Sequence, residues 1–434
     1  MQLPPFLSRA VALLRRISRP VARKGWWHWI RFGLLLAAGA YVGNLLSDSP
    51  SFTNIRFKMY QFQTRMQRGG PTYPQHTVLV LLNDEDFWGP RFESREPLKR
   101  DQLAALLDKL NQAGAETVAL DLDFFSPIPD KPDYEYPGFL AEDQVLKAAI
   151  ERMCDAGRYV VLATDAEPVA GWGAGTGPQE EKPSIYTPWL PELPCVRTGY
   201  TDSPDDLRKI AGVKVLQDGR GLDSFALAMV KIGDPTAYAN IVNSEDKGFR
   251  FGQFLTPADY SPKNGRQFVF NGEAVFNMSP NDLRQAVAER EVIIGTHWHW
   301  LAKGIGSIGD MHDTPGGDEP GAMVLANYVE AIRNETGTFT GISDRTAEIL
   351  EWAMTCGLAV LFVLEIRVVW KWAGFLLTCL LSLLLTYVLL QNLGLFLDFF
   401  IPILIIVVHT IAEELLEMRR ELKHATHALK ELKR

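Results

Sequence analysis

Cysteine is scarce in this sequence, and the short motifs of several common enzyme classes are missing. The chain has four Cys among 434 residues and no Cys-x-x-Cys pair, which excludes a disulfide-rich scaffold and a cysteine-pair zinc site. It has no phosphate-binding Gly-x-x-x-x-Gly-Lys loop, no Gly-x-Ser-x-Gly nucleophile turn and no protein kinase signature. A formal net charge of −8 argues against nucleic acid as a partner. We therefore expect neither an enzyme nor a cofactor.

Acidic residues are absent from the first 47 positions, where seven Lys and Arg side chains lie. Trp26, Trp27 and Trp29 precede an apolar run that ends at Leu46. A basic flank, an aromatic belt and an apolar run together predict a cytoplasmic segment over residues 1–28 and a membrane helix over residues 29–46. The alternative is a cleaved signal peptide, with residues 38–40 as the cleavage site.

Three further apolar runs lie near the C-terminus, over residues 346–366, 372–390 and 393–412. Each is close to the length of about 20 residues with which a helix crosses a bilayer. Four spans place every basic cluster on one side of the membrane, which the positive-inside rule assigns to the cytoplasm. The sequence thus predicts a multi-pass membrane protein, with the lipid bilayer as a partner. Residues 47–345 would be periplasmic and residues 413–434 cytoplasmic.

The central segment predicts an α/β domain. Residues 76–82 and 116–121 are short apolar runs, and residues 99–112 between them carry apolar side chains at helical spacing. This strand–helix–strand unit favours a mostly parallel β-sheet flanked by helices. Further expected elements are helices at 141–156, 223–232 and 321–334, strands at 158–162 and 291–295, and a long Pro- and Gly-rich loop at 165–198.

Several elements follow one another in a characteristic order along this segment. They are a strand ending in an acid at Val78–Asp84, a helix, Gly-Ala, strand and Asp block from Leu103 to Phe125, an acid-to-Arg element at Asp205–Lys209, and a late strand with Asp, Thr-Pro and Ala-Asn from Val292 to Asn327. In this order the chain resembles, over about residues 52–412, the second type of CHASE domain, the cyclase/histidine-kinase-associated sensory extracellular domain of bacterial receptors. The resemblance implies an extracytoplasmic sensor with one span before it and three after it. Members of that family usually continue into a kinase or cyclase domain, so we expect this chain to signal through a separate cytoplasmic protein.

Acidic residues at the predicted strand ends form the candidate ligand site. Asp84, Asp121 and Asp123 lie at or just after strand ends, and parallel sheets bind ligands outside the carboxyl ends of their strands. The alternative is that these acids cap helices or turns. With the residues that the family resemblance adds, the predicted ligand-binding set is Asp84, Asp121, Asp123, Arg208, Asp310 and Thr314.

Histidines after the late strand offer a metal site as a second hypothesis. His297 and His299 would share a face if the strand continued, and acids and a histidine follow within 14 residues. Such a site would suit a metal-dependent hydrolase, with ligands from His297, His299, His312 and Asp313. No His-Glu-x-x-His helix accompanies them, and the neighbouring tryptophans are typical of packing or of a membrane-facing loop. We therefore predict no metal and keep the hydrolase as the alternative.

Cys154 and Cys195 are the two cysteines of the central segment. In an oxidising periplasm they are able to pair as a disulfide. Two separate buried thiols are the alternative, because the sequence does not determine the distance between them.

The last 20 residues carry apolar side chains at alternating spacings of three and four. This pattern predicts a narrow coiled-coil seam, with charges of both signs around it. We expect it to form a homodimer or to pair with a partner protein, while an amphipathic helix on the membrane surface is the alternative. The seam residues are Leu415, Met418, Leu422, Ala425, Leu429 and Leu432.

Together these patterns predict a membrane sensor rather than an enzyme. The external domain would detect a small molecule or a condition of the cell envelope, and the spans would relay the change to a cytoplasmic partner. Besides the anchored hydrolase, a membrane scaffold that senses nothing stays open as an alternative.

Overall fold

The computed structural model describes the central part of the chain almost continuously. The described ranges are 73–124, 139–168, 179–182, 189–201, 210–242, 248–249, 258–314 and 317–334. Residues 380–389 and scattered single positions elsewhere are also described. The chain divides into two compact units, one formed by Thr64–Thr340 and one by Met1–Gln63 together with Gly341–Arg434.

The predicted membrane spans fall mainly outside the described residues. Residues 380–389 are helical within the predicted 372–390 span. Among the described residues, no helix combines the length and the apolar character needed to cross a bilayer. Of the coiled-coil seam, Met418 and Leu422 are described as helical and exposed, and the other four positions lie outside the described residues.

The central unit contains fourteen described strands and eight described helices. The strands are β1 Thr77–Asn83, β2 Thr117–Leu120, β3 Tyr159–Thr164, β4 Ala166–Pro168, β5 Gln179–Glu181, β6 Val196–Tyr200, β7 Ile210–Ala211, β8 Val213–Val215, β9 Gly221–Asp223, β10 Gly248–Phe249, β11 Val269–Phe270, β12 Glu291–His297, β13 Met311–Thr314 and β14 Gly317–Pro320. The helices are α1 Asp84–Phe87, α2 Arg100–Ala113, α3 Phe139–Asp155, α4 Phe225–Gly233, α5 Pro235–Val242, α6 Gly272–Asn277, α7 Pro280–Val287 and α8 Gly321–Arg333.

Six parallel strands form the central sheet in the order β11-β1-β12-β2-β3-β6. Successive side chains of a strand point to opposite faces, so an unbroken apolar run is suited to a sheet covered on both sides. Val78, Val80 and Leu82 pack with α2, α3, α6 and α7. Leu79 and Leu81 pack with α4, α5 and α8 on the opposite face. The predicted parallel sheet with flanking helices is therefore confirmed.

Local patterns predicted four of the six strands of the central sheet and four of the eight described helices, each to within two residues. Helix α2 illustrates the reason, because Leu103, Leu106, Leu107 and Leu110 bury one face of it. Gly114 ends the helix with a φ of 96°, and its N–H bonds back to the carbonyls of the last turn. Glycine adopts this left-handed conformation without the steric cost that a Cβ would add.

Two features of the sheet differ from the expectation. Strand β12 lies between β1 and β2, so the two strands of the predicted strand–helix–strand unit are not neighbours. The expected 165–198 loop contains the β4–β5 hairpin and the start of β6, which is the edge strand of the sheet. Short strands at an edge carry too little apolar alternation to be recognised in sequence.

A disulfide joins Cys154 near the end of α3 to Cys195 just before β6. Their Cα atoms are 5.3 Å apart, a usual separation for a disulfide. The bond ties a helix on one face of the sheet to the edge strand.

Candidate functional site

The carboxyl ends of β1, β12 and β2 lie side by side at one edge of the sheet. Asn83 at the end of β1 is opposite His297 at the end of β12, and Asp121 directly follows β2. This adjacency depends on the insertion of β12 in the middle of the sheet. It gathers most of the predicted polar residues at the edge where parallel sheets bind ligands.

Asp84 is hydrogen-bonded to a later loop of its own chain. Its carboxylate accepts hydrogen bonds from the backbone N–H of His299 (2.8 Å) and of Gly304 (3.0 Å). The Nδ1 of His299 lies 2.8 Å from the second carboxylate oxygen. Burial alone would raise the pKa of Asp84, but these hydrogen bonds outweigh it and hold the pKa below its ordinary value. Asp84 therefore anchors the loop over residues 298–309.

The 298–309 loop packs through one tryptophan and exposes another. Trp298 stacks on Phe87 with ring centroids 4.4 Å apart, and Trp88 Nε1 donates to the His299 carbonyl at 3.3 Å. At the tip, Trp300 is 52% exposed and Leu301 74% exposed. Strand β12 ends at His297, so His299 does not continue it and the condition for a shared face is not met.

Asp310 and His312 form a second group at the same edge, beside the first turn of α8. Their Oδ1 and Nε2 atoms are 3.0 Å apart. The Asp310 carboxylate lies against the Cα of Gly321, so closely that a Cβ there would collide with it. The backbone N–H of Gly321 donates to the Asp310 carbonyl at 2.8 Å. Asp310 thus sits at the N-terminus of a 13-residue helix, where the helix dipole favours negative charge.

Asp121 faces this pair without a hydrogen bond to its side chain among the described residues. Its Oδ2 lies near Gly295, 3.6 Å from where a Cβ would be. Burial, and secondarily the charge of Asp310, raises the pKa of Asp121 to about 8. The hydrogen bond to Asp310 raises the pKa of His312. We call Asp121, Asp310 and His312 the acid–histidine cluster; near neutral pH it combines a protonated carboxyl with a carboxylate–imidazole pair.

Gly295 is the position that lets α8 approach this edge. A Cβ on Gly295 would collide with the methyl group of Ala322 in the first turn of α8. Sequence reasoning did not select this residue, although a glycine inside an apolar strand is a signal of close backbone approach.

Thr314 lies in the β13–β14 hairpin and makes a structural bond. It is fully buried, and its hydroxyl donates to the Gly317 carbonyl at 2.7 Å. Next to it, burial raises the pKa of Glu319 to about 7, and Asn327 of α8 donates to that carboxylate at 3.1 Å. Sequence reasoning missed Glu319, because nothing local marks an acid on a short hairpin as buried.

Of the two remaining predicted residues, only Asp123 is described, and it is not part of the cluster. Asp123 is exposed and interacts electrostatically with Arg100 and Tyr186 instead. Arg208 lies outside the described residues.

The candidate metal ligands separate into two places. His299 contacts Asp84, and His312 contacts Asp310. Burial lowers the pKa of His297, which lies on β12 near the first of these pairs. The side chain of Asp313 is not among those described. Across the described ranges, no group of three or more His, Cys, Asp and Glu side chains is arranged to hold a metal ion.

Comparison with known proteins places the chain in a family. A model of the CHASE2 domain matches residues 32–366, which is more than half of the chain. No curated protein and no solved structure matches it. The resemblance read from the order of sequence elements is confirmed, and the chain belongs to the CHASE2 domain family of extracellular sensory domains.

Proposed function

We propose that this protein is a bacterial inner-membrane receptor whose CHASE2 domain binds a small polar molecule at the acid–histidine cluster. The observation that carries the proposal is the side chain of Asp121, which is partly buried at the carboxyl edge and forms no hydrogen bond within the described residues. A polar group removed from water without a partner costs free energy. A ligand that supplies the missing partner would recover that free energy on binding.

The chemistry of the cluster suggests the kind of ligand. A protonated Asp121 donates a hydrogen bond, whereas the carboxylate oxygens of Asp310 accept hydrogen bonds and the imidazole of His312 lies beside them. A ligand that carries both acceptor and donor groups, such as a polyol or a zwitterion, complements this set. Burial of a lone anion is disfavoured, because Asp310 already places negative charge there.

We further propose that the signal passes through membrane spans to a separate cytoplasmic protein, with the chain acting as a homodimer. Four apolar runs with basic flanks on one side support this topology. The Cys154–Cys195 disulfide suits an oxidising compartment such as the periplasm. The heptad seam at the C-terminus offers a surface for pairing. In this proposal the protein relays a conformational change and is not an enzyme.

A thermal-shift screen of polar metabolites on the full-length protein in nanodiscs tests the binding proposal. A ligand that binds only the folded state raises the melting temperature. The shift should disappear in Asp310→Ala, which removes the carboxylate from the cluster. Asp318→Asn serves as the matched control, since Asp318 is an exposed acid on the adjoining β14 and its loss should leave the shift intact.

Two results would contradict the proposal. A ligand whose shift survives Asp310→Ala and Asp121→Asn would bind elsewhere. A compound that is converted into a product during incubation would indicate the hydrolase instead.

A further inference from the structure

A buried carboxylate near the end of α8 holds the segment that leads into the domain. Glu330 is 3% exposed. It accepts hydrogen bonds from three successive backbone N–H groups, those of Gln75 (3.1 Å), His76 (2.8 Å) and Thr77 (2.7 Å). The Thr77 hydroxyl donates a fourth bond at 2.8 Å, and Asn334 Nδ2 donates a fifth at 3.1 Å. We call this set of contacts the Glu330 clamp.

The contacts around the clamp extend to the neighbouring strand. The Thr77 hydroxyl also lies 2.7 Å from the hydroxyl of Tyr260. One turn later in α8, Arg333 binds the buried Glu291 with an N–O distance of 2.7 Å. Glu291 begins β12 and pairs with Thr77 across the sheet. The end of α8 is thereby tied to the first residues of β1 and of β12.

The clamp joins the two places where the domain continues into the flanking sequence. Residues before 73 lead towards the first predicted span, and residues after 334 lead towards the second. Five hydrogen bonds therefore converge on one carboxylate, and hydrogen bonds to an ionised acceptor are stronger than those to a neutral one. If α8 moved along its axis, these bonds would either break or move residues 75–77 together with the helix.

The other end of α8 lies at the acid–histidine cluster. Gly321 packs against Asp310, and Ala322 packs against Gly295. Between these ends the helix is almost fully buried. Its 13 residues rise about 1.5 Å each, so it crosses the domain as one rigid element of about 20 Å.

We propose that α8 is the transmission element of this receptor and that Glu330 couples its position to both chain connections. The direction of use, from ligand to membrane, rests on the proposed function. The mechanical coupling between the two ends of α8 does not rest on the proposed function. It can be measured without any ligand, by substituting a residue at one end of α8 and measuring hydrogen exchange at the other.

The experiment is an amide hydrogen-exchange cycle on the full-length protein in nanodiscs. Glu330→Gln removes the charge and turns an NH₂ group towards backbone donors. We expect it to raise the exchange rate of residues 75–77 by about tenfold. Gly321→Ala, at the far end of α8, should raise exchange at the same residues by about threefold. In the double variant, Gly321→Ala should add nothing, because the clamp it acts through is already broken.

Gly272→Ala is the matched control. Its Cβ would crowd the Asp86 carboxylate on the opposite face of the sheet, 2.8 Å away. It should leave the exchange of residues 75–77 unchanged while raising it around α6. This comparison separates transmission through α8 from a general loss of stability.

Gentler variants keep the test decisive if either substitution prevents folding. Thr77→Val removes one donor to Glu330 and keeps the strand, and Ala322→Gly removes the methyl group at Gly295. The proposal is overturned if the two ends of α8 act independently, so that the exchange rates of residues 75–77 in the double variant equal the product of the two single effects. It is also overturned if Gly321→Ala changes exchange only near residue 310. Failure of the ligand screen would leave this result standing, and failure here would leave ligand binding standing.

Discussion

At the scale of single residues, the unusual feature is a set of carboxyl groups whose pKa lies near neutral. Burial raises the pKa of Asp121 and of Glu291 to about 8 and that of Glu319 to about 7. Glu291 and Glu319 contact Arg333 and Asn327 of α8, and Asp121 lies beside Gly295, against which Ala322 of α8 packs. The protonation of these groups is therefore linked to the packing of one helix.

The first prediction concerns Asp121 and pH. The pKa of its carboxyl is about 8 in the folded protein and near 3.8 in the unfolded chain, so the folded state binds the proton more tightly. The stabilisation is fully present below about pH 4 and is lost as pH rises through 8. Asp121→Asn stays neutral at every pH. It should therefore be more stable than the wild type by about 1–3 kcal/mol at pH 9 and nearly equal to it at pH 4.

Chemical denaturation of both proteins across this pH range checks the prediction. The difference between them isolates Asp121 from the similar contribution of Glu291. Asp123→Asn, at an exposed position, should show no such pH-dependent gain. A constant difference between Asp121→Asn and wild type at all pH values would contradict the assigned pKa.

At the scale of elements, loops at the carboxyl edge are held by particular side chains rather than by regular pairing. The 298–309 loop has isolated bridges between His299 and Ile308 and between Ala302 and Ile305, and its main anchor is Asp84. The loop with its exposed apolar tip is therefore held by the Asp84 hydrogen bonds together with the packing of Trp298 on Phe87.

The second prediction is that Asp84→Ala loosens this loop. Removal of the carboxylate leaves the N–H groups of His299 and Gly304 without their acceptor, which should cost about 1–3 kcal/mol. Hydrogen exchange of residues 298–309 should increase strongly while β1 stays protected. Glu85→Ala is the control, because Glu85 is the exposed neighbour of Asp84. Unchanged exchange in the loop would show that the packing of its aromatic side chains is enough to hold it in place without Asp84.

The third prediction concerns the link between α3 and the edge strand. Replacing Cys154 and Cys195 by Ser opens a covalent loop of 41 residues. The free energy of unfolding should fall by about 2–4 kcal/mol, mainly because the unfolded chain gains freedom. Thermal denaturation under non-reducing conditions measures the change. Equal melting temperatures for the variant and the wild type would argue against a disulfide in the native protein.

At the scale of the whole molecule, the proposed receptor needs a dimer that the C-terminal seam holds together. The seam places Leu422 at a core position and Arg420 outside it. In the fourth prediction, Leu422→Cys in a background without Cys356 and Cys379 forms a disulfide-linked dimer in membranes under mild oxidation. Arg420→Cys should cross-link far less, because its side chain points away from a seam partner. Equal cross-linking at the two positions would favour a helix on the membrane surface.

Parts of the candidate site could be predicted, and the reason why others could not is physical. Asp84 and Asp121 were selected because acids after apolar strands mark the carboxyl edge of a parallel sheet, and Asp310 because the family resemblance added it. The sequence could not predict which of these carboxylates is already hydrogen-bonded within the protein. The donors to Asp84 are residues more than 200 positions away along the chain. The predicted metal ligands separated for a similar reason, because His299 contacts Asp84 while His312 contacts Asp310.

The sequence by itself determined the membership in the CHASE2 family, the positions of four strands of the central sheet and of four helices, and the parallel character of the sheet. These follow from apolar spacing and turn residues, which act over a few positions along the chain. Only the tertiary structure decided that β12 enters the middle of the sheet, that Asp121 faces Asp310, and that Glu330 holds residues 75–77. Such contacts join segments up to about 250 residues apart, and they depend on long-range packing and on the burial of charge, neither of which leaves a local pattern.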